Sequence, residues 1–161
     1  MGDITGTTFA GYDVRDAVGT DLVSTLYRAT DPEEDRTVAL RVISQDLCDV
    51  DGPDRQLYRR FRTQAIASLK FEHAYSPRVE EVGEHHKQGY VVSRFITAVP
   101  LSRLVDDYPM LRVDAALALF EQLADVLDSG QRDGLTHGAV SPSTLSFAEP
   151  AEGARPEAAY L

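Results

Sequence analysis

The sequence predicts an α+β fold with its antiparallel strands first and its helices after. Two observations carry that reading. Strand-like runs separated by turn-rich stretches fill the first half of the chain, and one long helical period dominates the second half. The resulting order, β-β-β-α-β-β-α-α, lacks the strand–helix alternation that a parallel sheet requires.

The first strands are read at Tyr12 to Val18, Thr25 to Ala29 and Thr37 to Val42, the last two divided by Asp31-Pro32-Glu33-Glu34-Asp35. Asp51-Gly52-Pro53-Asp54 then opens a helix to about Lys70. Its Leu57, Phe61, Ala65 and Leu69 recur every four positions, and Arg59, Arg60 and Arg62 lie off that stripe. Two further strands, Pro77 to Val82 and Tyr90 to Phe95, flank the polar hairpin Glu84 to Gly89, and Leu101 to Tyr108 makes a short helix stopped by Pro109. The clearest helix is Val113 to Asp128. Val113, Ala116, Leu117, Phe120, Leu123, Ala124 and Leu127 form a wide apolar stripe, Asp114, Glu121, Asp125 and Asp128 share another face, and Ser129-Gly130 reads as the stop.

The chain has 161 residues, 43% of them hydrophobic and 26% charged, which suits one domain with a real core. A formal net charge of -10 argues against nucleic acid and against anionic membrane surfaces, both of which need a basic footprint. Cys48 is the one cysteine, so neither an internal disulfide nor a cysteine-built zinc site is expected. Adjacent His85 and His86 point opposite ways on a hairpin and make a poor metal site. No apolar run is long enough to span a membrane. The expected location is cytoplasmic, either as a separate protein or as the cytoplasmic domain of a membrane protein. The expected division is a flexible N-terminus (1–10), a strand-rich lobe (11–97), a partial helical lobe (98–147) and a linker or tail (148–161).

Four stretches resemble, in order, the landmark motifs of a phosphate-handling enzyme family, and the roles given to their positions are those the resemblance implies. Val18 to Ala29 has the place of a glycine-rich phosphate loop, with Gly19 at the first glycine but Asp21 and Ser24 at the other two. Side chains at those positions obstruct an anion, and a carboxylate repels it. Val38-Ala39-Leu40-Arg41-Val42 carries Arg41 in its centre, where a compact ammonium would anchor phosphate; the planar guanidinium fork is no copy of it. Arg60 to Ala65 offers Gln64 where an ion-paired glutamate would stand, and a one-residue slip gives Thr63 or Ala65. His137-Gly138-Ala139-Val140-Ser141-Pro142-Ser143-Thr144-Leu145 follows the strong helix.

In this order and spacing the landmarks resemble the protein kinase fold, closest to actinobacterial Ser/Thr kinases, from Gly11 to about Phe147. The resemblance implies that Ala139 replaces the catalytic base, Ser141 the phosphate-contacting lysine and Thr144 the metal-binding asparagine. Losing a general base alone costs roughly 10²–10⁴-fold in rate. No aspartate follows Asp133 to supply the remaining metal ligand. The expectation is therefore a pseudokinase, not an enzyme, with no cofactor, no metal and no catalytic residue at Arg41, Gln64, Ala139, Ser141 or Thr144. A nucleotide is not expected at the degenerate loop of Gly19, Asp21 and Ser24.

The same resemblance extends to the pseudokinase domain attached to the MviN-type lipid II flippase. It implies a protein-binding scaffold in Ser/Thr kinase signalling of cell-wall (peptidoglycan) synthesis, phosphorylated by a kinase and then recognised by a forkhead-associated (FHA) domain. Thr5, Thr7 and Thr8 are candidate phosphosites, as are Ser141, Ser143 and Thr144. The apolar stripe of Val113 to Asp128 needs cover, which a second copy forming a homodimer, a partner or further chain could supply. Two alternatives stay open: an atypical nucleotide-binding kinase that uses Arg41 as its phosphate anchor, and a small-molecule-binding regulator that uses the relic ATP cleft.

Overall fold

The computed structural model describes residues 3–48, 55–103, 113–138, 140–142, 144–148 and 159–160. Tertiary contacts divide the chain into two compact units: residues 1–70 with 78–95, and residues 71–77 with 96–161.

The first unit is built on a six-stranded antiparallel sheet. Its strands are β1 (Thr8–Phe9), β2 (Tyr12–Thr20), β3 (Ser24–Asp31), β4 (Arg36–Ile43), β5 (Val79–His85) and β6 (Gln88–Arg94), ordered β1-β2-β3-β4-β6-β5. β4 is central and rich in β-branched residues, so Val38, Ala39, Leu40, Val42 and Ile43 are buried and Arg41 alone interrupts the run. Together with Phe9, Val14, Tyr27, Ala29, Tyr90 and Val92, the β4 residues Val38, Leu40 and Val42 form the core cluster.

Although β1 and β5 are opposite edges in pairing order, the sheet curls until they meet. The Phe9 and His85 rings lie 4.9 Å apart, and the Tyr12 hydroxyl donates to Glu81 at 2.5 Å. Two register shifts in β2, at Val14/Asp16 and Ala17/Gly19, sharpen the bend. Glu81 also accepts from the Tyr90 hydroxyl at 2.5 Å, so one carboxylate ties β2 to β6. Gly83 leaves room for that tyrosine: a Cβ there would lie 2.5 Å from the Tyr90 ring. Burial and the Glu81 carboxylate push the Tyr90 phenol up to about 12 and raise Tyr12 as well.

A 3-10 turn (Gln45–Leu47) and the helix α1 (Arg55–Ser68) complete this unit. Ala65 is buried and Leu57 is exposed, so the four-residue stripe is covered unevenly. Cys48 is buried, and burial pushes its thiol up, in keeping with a small apolar residue.

Residues 3–8 differ from the loose lead the sequence suggested. Gly6 donates to the Val14 carbonyl at 3.0 Å, Val14 to Thr7 at 2.9 Å, and Asp3 accepts from the Thr5 amide and hydroxyl. Polar side chains thus close a turn that hydropathy alone does not announce.

The second unit contains α2 (Val113–Arg132) and a three-stranded sheet of β7 (Ala98–Pro100), β8 (Ser146–Ala148) and β9 (Ala159–Tyr160). Leu101, Leu119 and Leu145 form its core, with Leu123 and Phe147 packed against them. Phe71 and His73 stack 6.0 Å apart, and His73 Nε2 lies 3.2 Å from Asp125, which gathers the 71–77 segment into this unit.

The α2 helix runs past the expected stop. Gly130 is helical and buried, and the helix ends when Leu135 N–H donates to Gly130 and Gly134 N–H to Gln131, with Gly134 at φ +77°. The expected tail also differs: residues 159–160 pair with β8. The Leu101 helix is described only through residue 103, so its expected end at Tyr108 lies outside the described residues.

Candidate functional site: an oxyanion seat at the β2–β3 turn

Chain geometry brings Arg41, Ser24 and Asp21 together. In the β3–β4 ladder Leu26 pairs with Arg41 and Ser24 with Ile43, so Ser24 is the diagonal neighbour of Arg41 on the same face. The Arg41 guanidinium Nη1 donates to Ser24 Oγ at 2.8 Å and to Asp21 Oδ2 at 3.0 Å. Asp21 Oδ1 accepts from the Val23 and Ser24 amides at 2.9 Å and 2.8 Å, and the Ser24 hydroxyl lies 3.1 Å away. A backbone bond from Asp21 N to Ser24 O at 2.9 Å closes the turn.

Every donor here converges on one carboxylate. Partial burial pushes the Asp21 carboxyl up, but the Val23 and Ser24 amides, the Arg41 charge and the Ser24 hydroxyl outweigh it and hold Asp21 below the usual carboxylate range. The Asp21 and Arg41 side chains remain 52% and 40% exposed, so the pair is reachable from water. Chemically this is a site for an oxyanion, filled by the chain's own aspartate. Sequence reasoning marked all three residues, but it treated Asp21 as a repellent and Arg41 as a poor copy of an ammonium anchor. Their pairing was hidden because it depends on the turn geometry and on strand register.

The remaining landmark residues do not join this cluster by any contact described. Gly19 pairs with Leu26 in the ladder, and Gln64 is exposed on α1. In the second unit Ser141 and Thr144 bind each other: the Ser141 amide donates to Thr144 Oγ1 at 2.9 Å, and the Thr144 amide donates to Ser141 O at 3.0 Å. Ala139 and Ser143 lie outside the described residues. His137 is exposed. His85 packs on Phe9, and His86 occupies the β5–β6 turn with its ring 4.1 Å from that of His85. The two therefore do not point opposite ways as expected: His86 has left the extended strand backbone on which that alternation rests. Arg59, Arg60 and Arg62 are exposed on α1.

Thr5, Thr7 and Thr8 are exposed, each with a hydroxyl donating locally, to Asp3, the Ile4 carbonyl and Asp13 respectively. Among the described residues no helix is long and apolar enough to cross a membrane.

A curled antiparallel sheet with one packed helix, followed by a helical unit, is the protein kinase-like fold, and solved kinase domains share it. A crystal structure of a double-mutant Mycobacterium tuberculosis PknI kinase domain superposes with a TM-score of 0.80 at 25% identity, over 92% of this chain and 58% of that one. Among curated proteins, serine/threonine-protein kinase PknE of Mycobacterium bovis is 28% identical over 140 residues, 87% of this chain and 24% of the relative. PknI of Mycobacterium bovis is 25% identical over 150 residues, 92% of this chain and 25% of the relative. No protein-family profile matches the sequence.

The chain is therefore homologous to the kinase domains of mycobacterial Ser/Thr kinases, and it spans about a quarter of those relatives' length. These relatives correct one expectation. The altered loop and strand positions led to a reading of the chain as no enzyme, yet the relatives are named serine/threonine-protein kinases and the structural neighbour is a kinase domain. The relatives' names and the kinase-domain match therefore do not support the reading of the chain as no enzyme.

Proposed function

We propose that this chain is a kinase-like domain of a Ser/Thr kinase signalling system that is phosphorylated near its N-terminus and then read by an FHA-domain partner. The observation that carries the reading is the exposure of Thr5, Thr7 and Thr8 on an ordered turn of a domain homologous to Ser/Thr kinases. Local charge separates the three. The Thr5 hydroxyl bonds to Asp3 and that of Thr8 to Asp13, so a phosphate on either faces a carboxylate. The Thr7 hydroxyl bonds to a carbonyl instead, which makes Thr7 the least opposed acceptor.

The setting is a cytoplasmic domain acting in cell-wall synthesis, following the likeness to the MviN-type flippase. The exposed α2 residues Val113, Leu117 and Phe120 serve in this reading as the surface where two copies pair. Incubating the chain with an active mycobacterial-type Ser/Thr kinase domain and ATP, followed by mass spectrometry, tests the proposal. Phosphate at Thr7 is the expected result, and a chain left unmodified at Thr5, Thr7 and Thr8 would overturn it.

A second reading rests on a different observation, the Arg41 guanidinium held against the Ser24 hydroxyl at the β2–β3 turn. In it the chain binds nucleotide phosphate with Arg41 as anchor, as an atypical kinase would.

A further inference from the structure

The Asp21 carboxylate sits where an incoming anion would have to sit. It takes the Arg41 guanidinium at 3.0 Å and the Val23 and Ser24 amides at 2.9 Å and 2.8 Å, with the Ser24 hydroxyl 3.1 Å away. These donors are the kinds that bind a phosphoryl oxygen: a guanidinium fork, a hydroxyl and consecutive loop amides. A carboxylate and a phosphoryl group compete for the same donors and repel one another at this distance.

We infer that Asp21 is a built-in, displaceable occupant of an oxyanion seat formed by Arg41, Ser24 and the Val23–Ser24 amides, and that the seat's external ligand is a phosphoryl group of a polyphosphate. The inference rests on the second reading above, in which Arg41 anchors phosphate, and it adds what controls access to that anchor. The exposure of both side chains, 52% for Asp21 and 40% for Arg41, lets an outside anion exchange with the aspartate without opening the core. An exposed ion pair is weak, so displacement needs only a modest competing interaction. Ser24, by contrast, is 1% exposed and fixed in β3, so half of the seat is preorganised.

The test uses the full chain and tripolyphosphate without metal, titrated calorimetrically against wild type, Asp21→Asn and Asp21→Asn/Arg41→Gln. Asparagine keeps an oxygen for the Val23 and Ser24 amides, so the turn is retained while the charge is removed. Asp21→Asn is expected to bind roughly tenfold tighter than wild type, and the added Arg41→Gln change should abolish the gain. Should Asp21→Asn fail to fold, Asp21→Ser supplies a shorter cap and carries the same expectation. Equal binding by wild type and the Asp21 variant overturns the inference while leaving Arg41 as a phosphate anchor. Absence of binding by both overturns the anchor and the inference together.

Discussion

At the scale of single residues, charge placement governs the molecule more than residue type does. Arg41 could have been an inert strand residue, and Asp21 a surface residue. Together they make a pair whose state depends on pH. The depressed carboxyl of Asp21 contributes stability that is present above the unfolded value, about 3.9, and is lost as pH falls through the lower folded value. Denaturant unfolding of wild type and Asp21→Asn from about pH 6 down to about pH 2 should therefore show the wild-type advantage shrinking toward zero in acid. An advantage that stays constant with pH would separate Asp21's role from its charge. Arg41 was legible in the sequence because a Val-Ala-Leu-x-Val strand singles out its one charged member. Its partner was not, since Asp21 lies 20 positions away and only the folded turn brings the two together.

Elements show the same division between what local chemistry announces and what packing decides. The β5–β6 hairpin was expected from its polar residues, but the strands continue to His85 and Gln88 and leave a two-residue turn. His86 and Lys87 there adopt φ of 50° and 64°, a left-handed pair that favours Asn-Gly. Replacing His86 and Lys87 by Asn and Gly should raise stability by about 1 kcal/mol, read as a higher denaturation midpoint with an unchanged slope. A lower midpoint would mean that the His86 ring, edge-on to His85 with centroids 4.1 Å apart, contributes more than the backbone strain costs. The α2 helix was legible by its 3.6-residue period, and its end was not. Ser129-Gly130 looks like a stop, yet Gly130 lies inside the helix, where a Cβ would make only ordinary contacts, 3.7 Å from Leu135 and 3.9 Å from Phe71, so nothing at this position ends the helix. Gly134 performs the stop four residues later. The threonine-rich N-terminus was missed for the converse reason: its order comes from short polar hydrogen bonds, which leave no hydrophobic period to read.

At the scale of the whole molecule, a net charge of -10 and an apolar surface act on the same question of partners. The α2 helix buries Leu119 and Val126 but leaves Val113, Leu117 and Phe120 at 75%, 57% and 64% exposure. Leu119 and Val126 lie off the stripe read from the sequence, none of whose residues is buried, so packing covers a neighbouring face and leaves much of the stripe exposed. Light scattering should give a mass rising from 17.7 kDa toward twice that value with concentration, and Leu117→Asp/Phe120→Asp should hold the chain at 17.7 kDa. A wild-type chain fixed at 17.7 kDa would remove pairing through α2 from the account. The kinase-like fold itself was legible because the landmarks keep their order even where the individual residues differ, and order is what a curled sheet followed by helices preserves.

The most direct test of the account is a calorimetric titration of the chain with an FHA domain, before and after phosphorylation by a Ser/Thr kinase. It should bind only after phosphorylation, with a dissociation constant of about 1 μM, and Thr7→Ala should abolish binding while Thr5→Ala and Thr8→Ala retain it. Binding that ignores phosphorylation, or a phosphorylated chain that the FHA domain does not bind, would contradict it.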